Sequence, residues 1–124
     1  MEETKGKHIL VAEDEEPMAH ALELKLTNEG FSVVVVQNGK EALSYIHTNH
    51  PDAILLDLVM PEMNGFQVLE ALTKESQKPH IFVTSNLGQS EDITKAKEMG
   101  AIEYFVKSET SIKEIVQKVK QALQ

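Results

Sequence analysis

AILLDLVMPEMNG, residues 53–65, holds four apolar residues, a lone acidic one and then a turn. The continuous run Ala53–Leu56 is what a parallel strand covered on both faces requires, and Asp57 closes it. Immediately outward, Pro51 ends a connection on one side, and Phe66–Lys74 reads as a helix on the other, with Phe66, Leu69 and Leu72 at three-residue spacing. The unit is therefore strand, acidic terminus, turn, helix.

The same unit recurs in both directions. Upstream, HILVA (His8–Ala12) predicts a strand, and EDEEP leads into a helix over Pro17–Glu29. Met18, Ala21, Leu22, Leu24 and Leu26 form its apolar face, and Gly30 stops it. Phe31–Val36 is a second strand, rich in β-branched residues that pack well on a pleated surface. Asn38 caps a second helix, with Glu41 at capping-box spacing and Ala42, Leu43 and Ile46 on its apolar face.

Downstream, Pro79–Val83 predicts strand four, Ile93–Met99 a short polar helix stopped by Gly100, and Ile102–Val106 strand five. Ser111 and Glu114 make another capping-box pair. It opens a last helix striped by Ile112, Ile115, Val116, Val119 and Leu123. Strands and helices alternate strictly, five of each, so the fold class is α/β: a parallel sheet with helices on both faces. These residues alone leave the strand order open.

At 124 residues, 41% hydrophobic and 26% charged, the chain is expected to form a single domain over 1–124 with its core at about 8–123. The polar start MEETKGK has no secretory pattern, and no apolar run approaches a membrane span. Cysteine is absent, which excludes disulfides and thiolate chemistry and fits a cytoplasmic protein. A formal charge of −8 argues against direct nucleic-acid or anionic-membrane binding.

Ligands of an open parallel sheet bind beyond the carboxyl ends of its strands. Those ends carry Glu13 and Asp14, Asp57, Thr84 and Ser85, with Lys107 after the fifth strand. Carboxylates brought together repel unless a cation joins them, and a hard dication with oxygen ligands, magnesium first, meets that need. Asp57 is the natural nucleophile, because a carboxylate can form an aspartyl phosphate. Thr84 offers a hydroxyl and Lys107 an ammonium to phosphoryl oxygens. The five histidines are scattered and read as surface or packing residues.

Four pieces in order, ILVAEDE, LLDLVMPEMNG, IFVTSN and GAIEYFVKS, make the chain resemble the receiver domain of two-component response regulators. The resemblance runs from His8 to Leu123. It implies a flavodoxin-like three-layer sandwich of strand order 2-1-3-4-5. It also implies that Asp57 takes phosphate from a histidine kinase or histidine phosphotransfer protein, in a self-catalysed reaction with autodephosphorylation rather than metabolic turnover. Asp14, Asp57 and the backbone carbonyl of Val59 would bind Mg2+ (Mn2+ as a substitute), with Glu13 a ligand directly or through water.

By the same resemblance Thr84 and Lys107 bind the phosphoryl group, and Thr84 and Tyr104 form a switch. That switch alters the face of helix four, strand five and helix five toward an unknown output partner, a face that also admits a phosphorylation-dependent homodimer. Ser85 stands where the family usually has Ala or Gly; its hydroxyl either crowds the pocket or adds a hydrogen bond. Ser108 replaces the usual Pro after the Lys, which implies a more adaptable loop. Val59 and Asn86 lie where family members control hydrolytic water, and imply slow loss of phosphate. The competing readings are a phosphorylation-independent interaction module and a small metal-dependent phosphohydrolase, for which no further general acid or base is evident.

Overall fold

Branched aliphatic blocks become the strands. A computed structural model describes residues 6–124; the first five residues of the expected 1–124 domain, which carry most of the polar start, lie outside the described residues. β1 (His8–Ala12), β2 (Ser32–Val36), β3 (Ala53–Asp57), β4 (His80–Ser85) and β5 (Ala101–Val106) pair in parallel in the order β2-β1-β3-β4-β5. Between them lie α1 (Glu16–Asn28), α2 (Gly39–Asn49), α3 (Gly65–Leu72), α4 (Ser90–Glu98) and, after β5, α5 (Ile112–Leu123).

The two-residue alternation of the strands splits the core into two layers. Leu10, Ala12, Ile54, Leu56, Ile81 and Val83 point to the face covered by α2, α3 and α4. Ile9, Val11, Ala53, Leu55, Phe82 and Phe105 point to the other, where Leu22 and Leu26 of α1 and Ile115, Val116 and Val119 of α5 meet them. Neither helix layer leaves the central strands open, which is why β3 is buried along its whole length. The architecture is the flavodoxin-like three-layer sandwich.

Several boundaries differ from the sequence reading. Helix α4 begins at Ser90, three residues before the first apolar residue Ile93, because its first turn is polar: Glu91 and Asp92 sit near the positive end of the helix dipole. Helix α3 ends at Leu72 rather than Lys74, and starts at Gly65 under a reciprocal Asn64–Gln67 capping box. Strand β4 runs on to Ser85, so Thr84 and Ser85 belong to the strand and not to the loop after it. Asn38 does accept a hydrogen bond from the Glu41 N–H at 2.8 Å, but the Glu41 carboxylate reaches the Gln37 N–H, at 3.4 Å, instead of Asn38. The Ser111–Glu114 box forms in both directions.

Strand β5 carries one extra residue. Ile81 pairs with Ala101 and Phe82 with Glu103, which leaves Ile102 unpaired as a bulge. That slip puts Tyr104 on the α2–α4 face and Phe105 on the other, stacked near Phe82 with ring centres 6.5 Å apart.

Candidate functional site

Parallel strands carry all their polar termini to one rim. Register aligns Asp57 of β3 with Thr84 of β4 directly across the sheet. Glu13 and Asp14 follow β1, the other neighbour of β3, and Lys107 follows β5. Two glycines hold the intervening loop close. A methyl group on Gly65 would lie 2.4 Å from the Asp57 carbonyl oxygen, and one on Gly39 would lie 1.9 Å from that of Met63. No side chain fits at either contact, so the backbone after Asp57 is pressed between the starts of α2 and α3.

Glu13 and Asp57 are almost fully buried, 1% and 4% exposed. Asp57 Oδ1 accepts the Val59 N–H at 3.2 Å, and Oδ2 accepts from the Lys107 ammonium at 3.1 Å. The same ammonium donates to Glu13 Oε2 at 2.9 Å and to Glu15 Oε1 at 2.8 Å. Glu13 Oε1 also lies 2.8 Å from the nitrogen as an ion-pair contact, but it is buried and receives no directed hydrogen bond.

Burial pushes the Glu13 carboxyl up to about 7, reinforced by the Asp57 charge and opposed by Lys107. Burial raises Asp57 too, against the pull of Lys107 and the Val59 N–H. Burial by itself would lower Lys107, but its bonds to Glu13 and Glu15 and the charge of Asp57 outweigh that and hold it above its ordinary value. The site is short of positive charge.

The residues present fit a divalent cation. One oxygen each from Glu13, Asp14 and Asp57 lies within 4.8 Å of the others, and Glu13 Oε1, which receives no directed hydrogen bond, is an oxygen a cation would satisfy. Among the described residues no histidine joins this group, so the ligand set is all oxygen and suits a hard ion.

The rim opens into a cavity of about 220 Å³ lined by Asp14, Glu15, Asp57, Val59, Asn86 and Lys107. Thr84, although in register with Asp57, is 1% exposed and does not line it. Ser85 Oγ accepts the Leu87 N–H at 3.1 Å, so its hydroxyl adds a bond within the β4–α4 loop. Tyr104 is half-buried and its hydroxyl donates to the Leu87 carbonyl, which ties the ring to that same loop. Lys107–Glu109 form a single 3-10 turn with a trans peptide after Lys107. Sequence reasoning missed Glu15, which reads as one more solubilising residue in an acidic run; no signal in EDEEP separates it from Glu16.

The scattered histidines do not reach the rim. His8 meets the Tyr45 hydroxyl at 2.6 Å, and His47 lies 3.6 Å from Glu75. No helix among the described residues is long and apolar enough to cross a membrane.

Comparison with known proteins agrees with this arrangement. The "Probable transcriptional regulator ycf27" of Cyanophora paradoxa is 39% identical over 105 residues, covering 85% of this chain and 44% of its own length. The "DNA-binding response regulator MtrA" of Mycolicibacterium smegmatis is 34% identical over 121 residues, covering 98% and 52%. The chain thus spans about half the length of these relatives. Among solved structures, the receiver domain of the Francisella response regulator 1452 superposes with a TM-score of 0.87 at 30% identity, over 94% of this chain and 95% of that one. A sequence model described as the response regulator receiver domain matches residues 9–120, nearly the whole chain, and to that family the chain belongs.

Proposed function

We propose that the chain is a phosphorylation-controlled switch in which Asp57 accepts a phosphoryl group from a phosphohistidine of a histidine kinase or histidine phosphotransfer protein. The observation that supports this most is the burial of Asp57 against Glu13, with a single ammonium between them and an open cavity in front. Two buried carboxylates and one buried cation are a poor structural device but a good phosphoryl-transfer one.

An Asp57 carboxylate oxygen attacks phosphorus as the P–N bond to the donor imidazole breaks. The imidazole leaves with the bonding pair and keeps its ring neutral by taking a proton from solvent. Glu13, Asp14, Asp57 and the Val59 carbonyl would hold Mg2+, or Mn2+ in its place. When bound, the ion offsets charge between carboxylate and phosphoryl oxygens. Lys107 turns one N–H to the phosphoryl group, and the Thr84 hydroxyl turns from its buried position to donate to another oxygen.

Movement of Thr84 frees space on the β4–α4 side, and Tyr104 turns inward as its bond to Leu87 is given up. The face of α4, β5 and α5 then differs between the two states, and a partner protein, a further domain or a second copy of the chain reads it. With a formal charge of −8, these residues are not a nucleic-acid contact; DNA control as in the named MtrA relative would come from elsewhere. The reading carries a cytoplasmic setting with it.

Intact mass after incubation with magnesium and a small phosphodonor tests the proposal. A phosphate-sized gain is expected, and Asp57→Ala should show none. A folded, magnesium-binding protein that gains nothing from either the small donor or a phosphohistidine protein would overturn the reading in favour of an interaction module.

A further inference from the structure

The Lys107 ammonium has three N–H donors, and three carboxylates take all of them: Glu13 at 2.9 Å, Glu15 at 2.8 Å and Asp57 at 3.1 Å. None remains for an incoming phosphoryl oxygen. Capture of a phosphoryl group at Asp57 therefore requires Lys107 to release or share a partner.

The three partners are not equivalent. Glu13 and Asp57 are buried, and loss of the ammonium would leave each with an uncompensated charge. The Glu15 side chain is 56% exposed, so water replaces its contact readily. Glu15 also has no local duty. It occupies the cap position of α1, yet its side chain makes no capping bond, and the helix is started instead by Pro in its first turn. Its backbone N–H bonds Glu13 Oε2 at 3.1 Å, a contact that does not need its carboxylate. That carboxylate instead reaches across the rim to a residue 92 positions away.

Resting on the phosphoacceptor reading above, we propose that Glu15 is a positioning residue that latches Lys107 in the resting protein and slows phosphoryl capture by Asp57. The latch opens when Lys107 turns to the phosphoryl oxygens, and it closes again when phosphate leaves.

The full chain is compared with Glu15→Ala, Glu16→Ala and both in a Lys107→Ala background. Acetyl phosphate is the donor and magnesium is saturating for each variant. Glu16, also in the first turn of α1, removes the same charge one residue away and is not bonded to Lys107. Glu15→Ala is expected to raise the initial rate of phosphate incorporation about threefold to fivefold. Glu16→Ala should do less than half of that, and Glu15→Ala should have no effect once Lys107 is removed. Beryllofluoride, a non-transferring phosphoryl mimic, should bind Glu15→Ala tighter by the same factor. In the metal-free protein the Lys107 ammonium resonance should shift in Glu15→Ala and not in Glu16→Ala.

Equal acceleration by the two variants would reduce Glu15 to bulk charge and overturn the latch. So would an effect that survives in the Lys107→Ala background, or no acceleration by Glu15→Ala where the wild-type protein is itself phosphorylated at Asp57. A wild-type protein that takes no phosphate overturns the phosphoacceptor reading, and the latch with it.

Discussion

The two ends of the sheet are both polar, and they behave differently. At the amino ends of β1, β3 and β4 a cavity of about 380 Å³ is lined by Lys7, His50, Asp52, Glu75, Lys78 and His80 among others. It is larger than the cavity of about 220 Å³ at the carboxyl rim. Its groups are nonetheless settled locally. Asp52 Oδ2 accepts the His8 N–H at 2.7 Å, and the Asp52 carbonyl accepts the His80 N–H at 3.0 Å. Asp52, His50 and His80 are exposed or half-exposed, so water completes their needs. At the carboxyl rim, Glu13 and Asp57 share one ammonium away from water, and one carboxylate oxygen has no hydrogen bond at all. Size and polarity do not set the two ends apart; uncompensated buried charge does.

The largest expected difference between the ends is in stability. In metal-free protein the Glu13 carboxyl is ordinarily at 4.5 and is raised to about 7 in the folded state. The folded form therefore holds a proton the unfolded form has lost. Stability is greatest below pH 4.5 in this respect and falls as pH rises through 7. That fall is roughly 3 kcal/mol, and the raised Asp57 acts in the same direction. Urea unfolding at a series of pH values should show the slope, and saturating magnesium should remove most of it. A flat metal-free profile would break the contrast.

Next in size, Lys107→Ala should slow phosphate incorporation from a small donor about 100-fold, the usual loss of one charged donor at a transition state. Intact-mass time courses measure it, and a rate within a few-fold of wild type would assign the ammonium to structure alone. Smaller again, Val59→Asn should shorten the lifetime of the phosphorylated protein about fivefold, the rate equivalent of one net hydrogen bond to the hydrolytic water. Val59 is 58% exposed at the cavity wall, so the substitution fits without repacking, and an unchanged lifetime would discard the idea. At the opposite end Asp52→Ala should lower stability by roughly 1 kcal/mol for its lost bond and leave phosphorylation as it was. A phosphorylation defect there would mean that the two ends are coupled through the sheet.

Much of this was legible in the primary structure because apolar blocks and their polar ends obey simple periodicities. His8–Ala12, Ala53–Asp57 and the striped last helix lie where their patterns put them. The strand order was not legible in the residues and came only with the resemblance, since nothing local in SVVVV says which edge it takes. The start of α4 was lost because a helix whose first turn is polar has no apolar residue to announce it. The Ile102 bulge and the Asn64–Gln67 box depend on pairing and on a loop held by Gly39 and Gly65, contacts that cross the chain. At the rim, Asp57, Glu13, Asp14 and Lys107 were brought together as expected, while Thr84 sits deeper than a strand-end reading suggests. Glu15 was invisible because only geometry distinguishes it from Glu16.

The bond between Lys107 and Glu13 closes a loop of 94 residues in sequence. On the ribosome, Glu13 is made on the order of 5 to 20 s before its partner. Until β5 emerges, the nascent sheet carries acidic ends with no ammonium to join them, and those ends favour staying hydrated over docking. Arrival of Lys107 lets the rim shut, so the residue just after the fifth strand of this sheet supplies the counter-charge for the first. A chain interrupted within α4 would keep most of its apolar core residues and still lack the means to bury its own acids.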